Sequence, residues 1–150
     1  MSVVAPTRLD SWDFPLLVHV FGAMVLVGAL VLASSALVLA WRDGNPALVR
    51  LGYRSLLLGA LPAWIVMRVG AEWIASKEGY TDSNATWIGI GQSSADLGLL
   101  LLVIATVLAG LAVRRTARNE IAGGRVPAGL VSLLIVIYLV AVWAMTTKPT

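Results

Sequence analysis

The chain contains no cysteine and one histidine, His19. The missing cysteines exclude disulfides, thiolate metal centres and thiol nucleophiles. A single histidine excludes a haem held between two imidazoles of one chain; that arrangement requires a second copy or another subunit. Charge is also scarce, at 13% of residues. Apart from His19, nothing between Phe14 and Trp41 is acidic or basic, and nothing between Val126 and Thr147 is. No HExxH helix, Walker loop or nucleophile elbow is present. The formal charge of +3 is no nucleic-acid signal, because the charges are dispersed among short loops.

What is abundant is apolar surface. Hydrophobic residues make up 59% of the chain, more than a soluble domain covers with polar residues. They occur in blocks of 18 residues or more, the length of a membrane span, and a span in lipid must satisfy its own backbone. The pattern predicts an all-α integral membrane protein, an up-and-down bundle of four transmembrane helices. One transmembrane domain covers 1–150, with spans at about 15–41, 48–74, 94–113 and 127–146. The N-terminus has no basic stretch ahead of a short apolar core, so the first apolar run is expected to remain as a span. Pro62 falls inside the second span, where a kink is expected.

The charges sort by side. Loops 42–50 and 114–125, with their flanks, carry seven arginines (Arg42, Arg50, Arg54, Arg114, Arg115, Arg118, Arg125) against Asp43 and Glu120. The other side carries four basic and six acidic residues. The positive-inside rule places both loops in the cytoplasm and both termini outside, across a plasma (inner) membrane. In the long outer connection, Trp73, Tyr80 and Trp87 read as interfacial aromatics and Gly79 as a helix C-cap. Ser93 with Asp96 reads as a capping box opening the third span. Asn84 fits a short glycosylation pattern.

Small residues mark where membrane helices meet. The first span has Gly22, Ala29, Ala33, Ala36 and Ala40 on one face, with His19 on the same stripe. The second has Ser55, Gly59 and Ala63, continued by Met67. The third has Gly98, Ala105, Ala109 and Ala112. These stripes are the expected interior seams. The fourth span, rich in large and β-branched residues, is expected to face lipid or a partner more broadly.

Three features are candidate sites. His19 with Met24, Met67 or Met145 has ligand types suited to copper or to a haem iron. The simpler reading is a hydrogen bond from His19 to a neighbouring helix, with the methionines as packing residues; it takes precedence. Arg68 is flanked by too few uncharged residues to sit beyond a full span. It pairs with Glu72 one turn on, or joins Glu72, Asp96 or Asp13 in a polar cluster near the outer surface. Arg114, Arg115 and Arg118 suit attraction to anionic lipid.

The stretch "LLVHVFGAMVLVGAL", 16–30, has a histidine early in a span, then a glycine, then another six residues on. In this it resembles the first helix of small predicted four-span membrane proteins of unknown function. It also looks like that of copper-resistance-D-type membrane proteins. The latter resemblance implies a copper or haem role, and the one matching residue that carries it is His19.

Together these features lead to a small, non-catalytic polytopic membrane protein. It is expected to be an accessory subunit of a membrane complex or a homo-oligomer, packing through small-residue helix faces. The alternatives are a haem- or copper-binding redox or metal-handling protein using His19, and a small transporter or channel.

Overall fold

The computed structural model describes residues 13–78, 86–118 and 125–147. Among them the chain is all-helical: α1 (Asp13–Asp43), α2 (Pro46–Arg54), a π-helical segment (Ser55–Ala60), α3 (Leu61–Glu78), α4 (Thr86–Ala117) and α5 (Arg125–Thr147). The α2, π and α3 segments run on without a break. This gives four helices long and apolar enough to cross a membrane: Phe14–Asp43, Pro46–Lys77, Gln92–Ala117 and Arg125–Trp143.

The ends of α1 and α2 follow from local chemistry. Gly44 adopts φ +65°, a left-handed conformation that glycine takes without a steric penalty. Its N–H bonds the Ala40 carbonyl at 2.9 Å. Asn45 then caps α2, its side chain accepting from the Ala47 N–H at 2.9 Å. Pro46 occupies the first helical position, where a missing N–H costs nothing. So "DGNP" reverses the chain with almost no loop.

The π turn lies just ahead of Pro62. Leu61 donates to Leu56, five residues back. Pro62 has no N–H to give and its ring crowds the preceding turn, so a widened turn here relieves a conflict. It also shifts the helical phase. Gly52 and Gly70 lie on the same seam as Ser55, Gly59 and Ala63, each against α1; regular helical spacing already places both near the Gly59 face.

The helices form a four-cornered bundle. The first span packs on the second and fourth, the third packs on the second and fourth, and α1 makes no close backbone approach to α4. Neighbours are antiparallel. Along α1 and its partner, Leu37 faces Gly52, Ala29 faces Gly59, Gly22 faces Met67 and His19 faces Gly70. The numbers climb on one helix as they fall on the other.

The core is a single cluster. It contains Leu26, Leu30, Ala33 and Leu37 of α1, with Leu56, Ala60 and Ala63 from the second span. Leu102, Ala105 and Ala109 of α4 join Val131, Leu134 and Tyr138 of α5. On α5 the buried positions Ala128, Val131, Leu134, Tyr138 and Ala141 recur every three or four residues, the spacing of one helix face. Large apolar side chains cover the outside, among them Phe21, Leu58, Leu100 and Leu139.

One local expectation is corrected. α4 begins at Thr86, so Ser93 and Asp96 stand about two turns inside it and form no capping box. Gly89 and Gly91 disfavour a helix by only about 1 kcal/mol each, too little to end one. Gly79, Tyr80 and Asn84 lie outside the described residues.

Candidate functional site

Two places in the bundle bring chemistry-bearing side chains together. The first is the crossing of α1 and α3. The His19 ring Nδ1 lies 2.9 Å from the Met67 carbonyl oxygen. A carbonyl only accepts, so Nδ1 carries the proton and donates, and the neutral ring keeps Nε2 as its acceptor nitrogen. Two glycines make this contact possible. A β-carbon on Gly70 would stand 2.6 Å from the His19 backbone nitrogen, and one on Gly22 would stand 2.5 Å from the Met67 nitrogen. Each helix thus presents a bare backbone to the other, one turn apart.

Of the methionines named beside His19, Met67 meets it through its backbone carbonyl oxygen. Met24 is 69% exposed; five residues on from His19, it lies well round the helix from the seam. The Met145 side chain lies outside the described residues. Among the described residues no three of His, Asp and Glu are grouped to hold a metal ion.

The second place is the side of α3 that faces α4. Arg68 pairs with Glu72 at 2.9 Å on its own helix and with Asp96 of α4 at 3.7 Å. The first distance is a charge-assisted hydrogen bond and the second a looser ion pair. The Arg68 side chain is 26% exposed, against 51% for Glu72 and 67% for Asp96. One turn along α3, the Trp64 indole N–H donates to the Ala95 carbonyl at 3.2 Å. The Tyr138 ring of α5 ends against Gly98 of α4. Its hydroxyl is buried beside the Trp64 indole N–H, and its own proton has no acceptor. The Asp13 side chain lies outside the described residues.

Further polar contacts hold helices together at single points. Ser55 donates to the Ala29 carbonyl at 2.8 Å. Ser132 donates to the Ala128 carbonyl at 2.9 Å, which leaves Ser34 to donate to Ser132 across 2.8 Å. Thr106, buried, donates back to Leu102. At one end of the bundle the Arg125 guanidinium lies 5.3 Å from the Trp41 ring centre. At the other, Lys77 lies 5.6 Å over Trp73, whose ring meets Phe14 edge-on at 5.9 Å. Arg114, Arg115 and Arg118 are exposed around the end of α4.

The small residues of the seams face other helices of the same chain. Ala33, Ala36, Ala63, Ala105 and Ala109 are buried in the bundle. Gly22, Gly59 and Gly98 each meet a neighbouring helix at a distance that leaves no room for a β-carbon, and Ala29 receives both Gly59 and Ser55.

A row of small residues in steps of four does not single out Gly52 or Gly70, and spacing does not single out Ser34, Ser132 or Trp64. The available signal is cost: a glycine in a helix interior is unfavourable, and so is an intramembrane hydroxyl or indole N–H without a partner. Each such residue marks a close approach or a bond. No family model, curated protein or solved structure matches this chain.

Proposed function

We propose that this chain is a small, non-catalytic protein of the plasma membrane that acts by holding a neighbouring membrane helix. It does so as an accessory subunit of a complex or as a homo-oligomer. Loops 42–50 and 114–125 lie in the cytoplasm and both termini outside, by the distribution of arginine.

The observation that carries this reading is the placement of the one imidazole. His19 is built into a helix crossing, its proton committed to a backbone carbonyl between two glycines. The serines, Thr106 and Trp64 are likewise committed to helix–helix or local backbone bonds. The two aromatic–cation pairs support the membrane setting. Phe14 and Trp41 are separated by about 40 Å at about 1.5 Å per residue, the thickness of a bilayer with its headgroup regions.

The seam residues are engaged within the bundle, so a partner needs another surface. On α1, Gly28, Val31, Leu32 and Ser35 share one exposed face. A β-carbon at Gly28 meets nothing within 4 Å. This bare backbone between apolar side chains is what membrane helices use to approach one another closely. Gly28→Leu tests the reading, since it blocks approach without touching the fold. Association read by single-molecule photobleaching in lipid discs should fall while the melting temperature holds. Unchanged association in Gly28→Leu removes this face from the proposal.

A second reading is favoured by one detail. A ring N–H donated to a backbone carbonyl is how metal-binding histidines are oriented, and it directs the acceptor role to Nε2. Haem or copper on His19 then takes Met67 or a second copy as the further ligand. A visible spectrum with metal analysis of the purified protein separates the readings: a Soret band or stoichiometric copper lost in His19→Leu favours this one.

A further inference from the structure

The second span carries a charge at each end of one strip. Arg54, Leu58, Ile65 and Arg68 follow at steps of four, seven and three, so they share a helix face. Leu58 is 70% exposed and Ile65 57%, and Arg54 is exposed. Every residue between the two arginines is uncharged. At about 1.5 Å per residue the apolar strip is about 21 Å tall. The hydrocarbon core of a bilayer is about 30 Å thick.

α1 departs in the opposite direction. Apart from His19 it has no charge from Phe14 to Trp41, a length of about 40 Å. Facing pairs set the two helices on one scale. Ala29 lies against Gly59 and Gly22 against Met67, so Arg54 stands at the height of Ser34 and Arg68 at that of Phe21. Beyond those heights α1 stays apolar for about 10 Å more at each end. Tilting the bundle raises one end as it lowers the other, so tilt does not remove a mismatch present at both.

We propose that the bundle thins the bilayer along its second span. Lipid there draws in from both surfaces to meet Arg54 on one side and the Arg68–Asp96 pair on the other, while lipid beside α1 keeps its full thickness. Thinning and snorkelling are the two ways a membrane accepts a short apolar segment. Arg54 is free to snorkel, its long stem extending toward the cytoplasm. The outer end has less freedom. Arg68 is held at 2.9 Å by Glu72 and at 3.7 Å by Asp96. Asp96 is 67% exposed and carries its charge close to its own backbone, so it does not rise to the surface; the surface comes to it. The lipid suited to this face is one with shorter chains, whatever its headgroup.

The test uses the lack of cysteine, which lets single cysteines carry a nitroxide label. Label depth is read in dioleoyl phosphatidylcholine bilayers from exposure to oxygen against exposure to a water-soluble nickel chelate. Two pairs of exposed positions lie at matched heights: Ile65 with Met24 in the outer half, and Leu57 with Val31 in the inner half. All labels are placed in Gly28→Leu, so that no partner on α1 shields Met24 or Val31 and the result does not depend on the association reading. Each label on the second span should lie about 4–5 Å nearer water than its α1 counterpart, half the difference between bilayer and strip. Equal depths in both pairs mean that the arginines snorkel through an undeformed bilayer and overturn the proposal. Differences of opposite sign in the two pairs mean a tilted bundle and overturn it too. Arg54→Leu moves the inner charge back to Arg50 and lengthens the strip to about 27 Å. The Leu57–Val31 difference should then close while the Ile65–Met24 difference stays; an inner difference that persists contradicts the assignment. Circular dichroism checks that each labelled chain keeps its helix content. A second measurement needs no label: melting of wild type and Arg54→Leu in phosphatidylcholines of 14 to 22 carbons per chain. The variant should gain on the wild type as the chains lengthen, and parallel curves overturn the proposal.

Discussion

Gly70 lies against the backbone of His19, so close that a β-carbon at Gly70 would come within 2.6 Å of the His19 nitrogen. One turn away the relationship is reversed, with Gly22 of α1 against the backbone of Met67. The His19 side chain then closes the crossing by donating to the Met67 carbonyl. Backbone contact and hydrogen bond occupy the same place, and α1 and α3 are registered by it.

The glycines should therefore divide into two groups. Gly22→Ala and Gly70→Ala force two backbones apart and should cost about 1–3 kcal/mol each, the range for overpacking a tight interior. Gly129→Ala, at an exposed position with open space around it, should be neutral or stabilising by up to about 1 kcal/mol through helix propensity. Unfolding titrations in mixed detergent micelles give the comparison. Equal costs at all three positions would contradict the described crossing.

His19→Leu keeps the bulk and loses the donor. Interhelical hydrogen bonds in membranes contribute about 0.6–2 kcal/mol, and the Met67 carbonyl keeps its own helical N–H, so the loss should lie in that range. A much larger loss of stability on this change, together with release of a bound metal, points to the metal reading of His19.

Ser34 and Ser132 join α1 to α5 by one hydroxyl–hydroxyl bond, 2.8 Å long. A double-mutant cycle with Ser34→Ala and Ser132→Ala should give a coupling of about 0.6 kcal/mol, and no more than about 1.7. Additive single changes would place the two hydroxyls apart.

Tyr138→Phe deletes a buried hydroxyl whose proton has no acceptor, and the Trp64 N–H beside it keeps the Ala95 carbonyl. In lipid-free detergent the variant should be as stable as the wild type or about 1 kcal/mol more stable, because an unsatisfied buried donor is removed and the ring's packing is kept. A loss above about 1 kcal/mol would show that the hydroxyl has a partner of its own.

The four spans could be read from sequence because a helix in lipid announces itself by length and by the absence of charge. The positions of Ala33, Ala105 and Ala109 on buried faces follow from spacing, since a regular helix carries residues three and four apart on one side. Register is harder to read. A row counted in steps of four drifts round the helix, so the stripe Ser55, Gly59, Ala63 and Met67 misses Gly52 and Gly70, which stand three residues beyond its two ends. The start of α4 is misread because a serine and an aspartate at capping distance look alike at a helix end and inside one. The distance from Arg68 to Asp96 depends on how far two helices diverge, and no local pattern encodes that divergence.

We propose that this bundle works by holding another membrane helix on its outer surface. The most direct measurement is the mass of the wild-type particle extracted from its own membrane with its surrounding lipid, without detergent. The expected mass is a multiple of the chain mass, or the chain with a second polypeptide in fixed ratio, and that assembly should be lost in Gly28→Leu. A particle holding one copy of the chain and no other protein would contradict it.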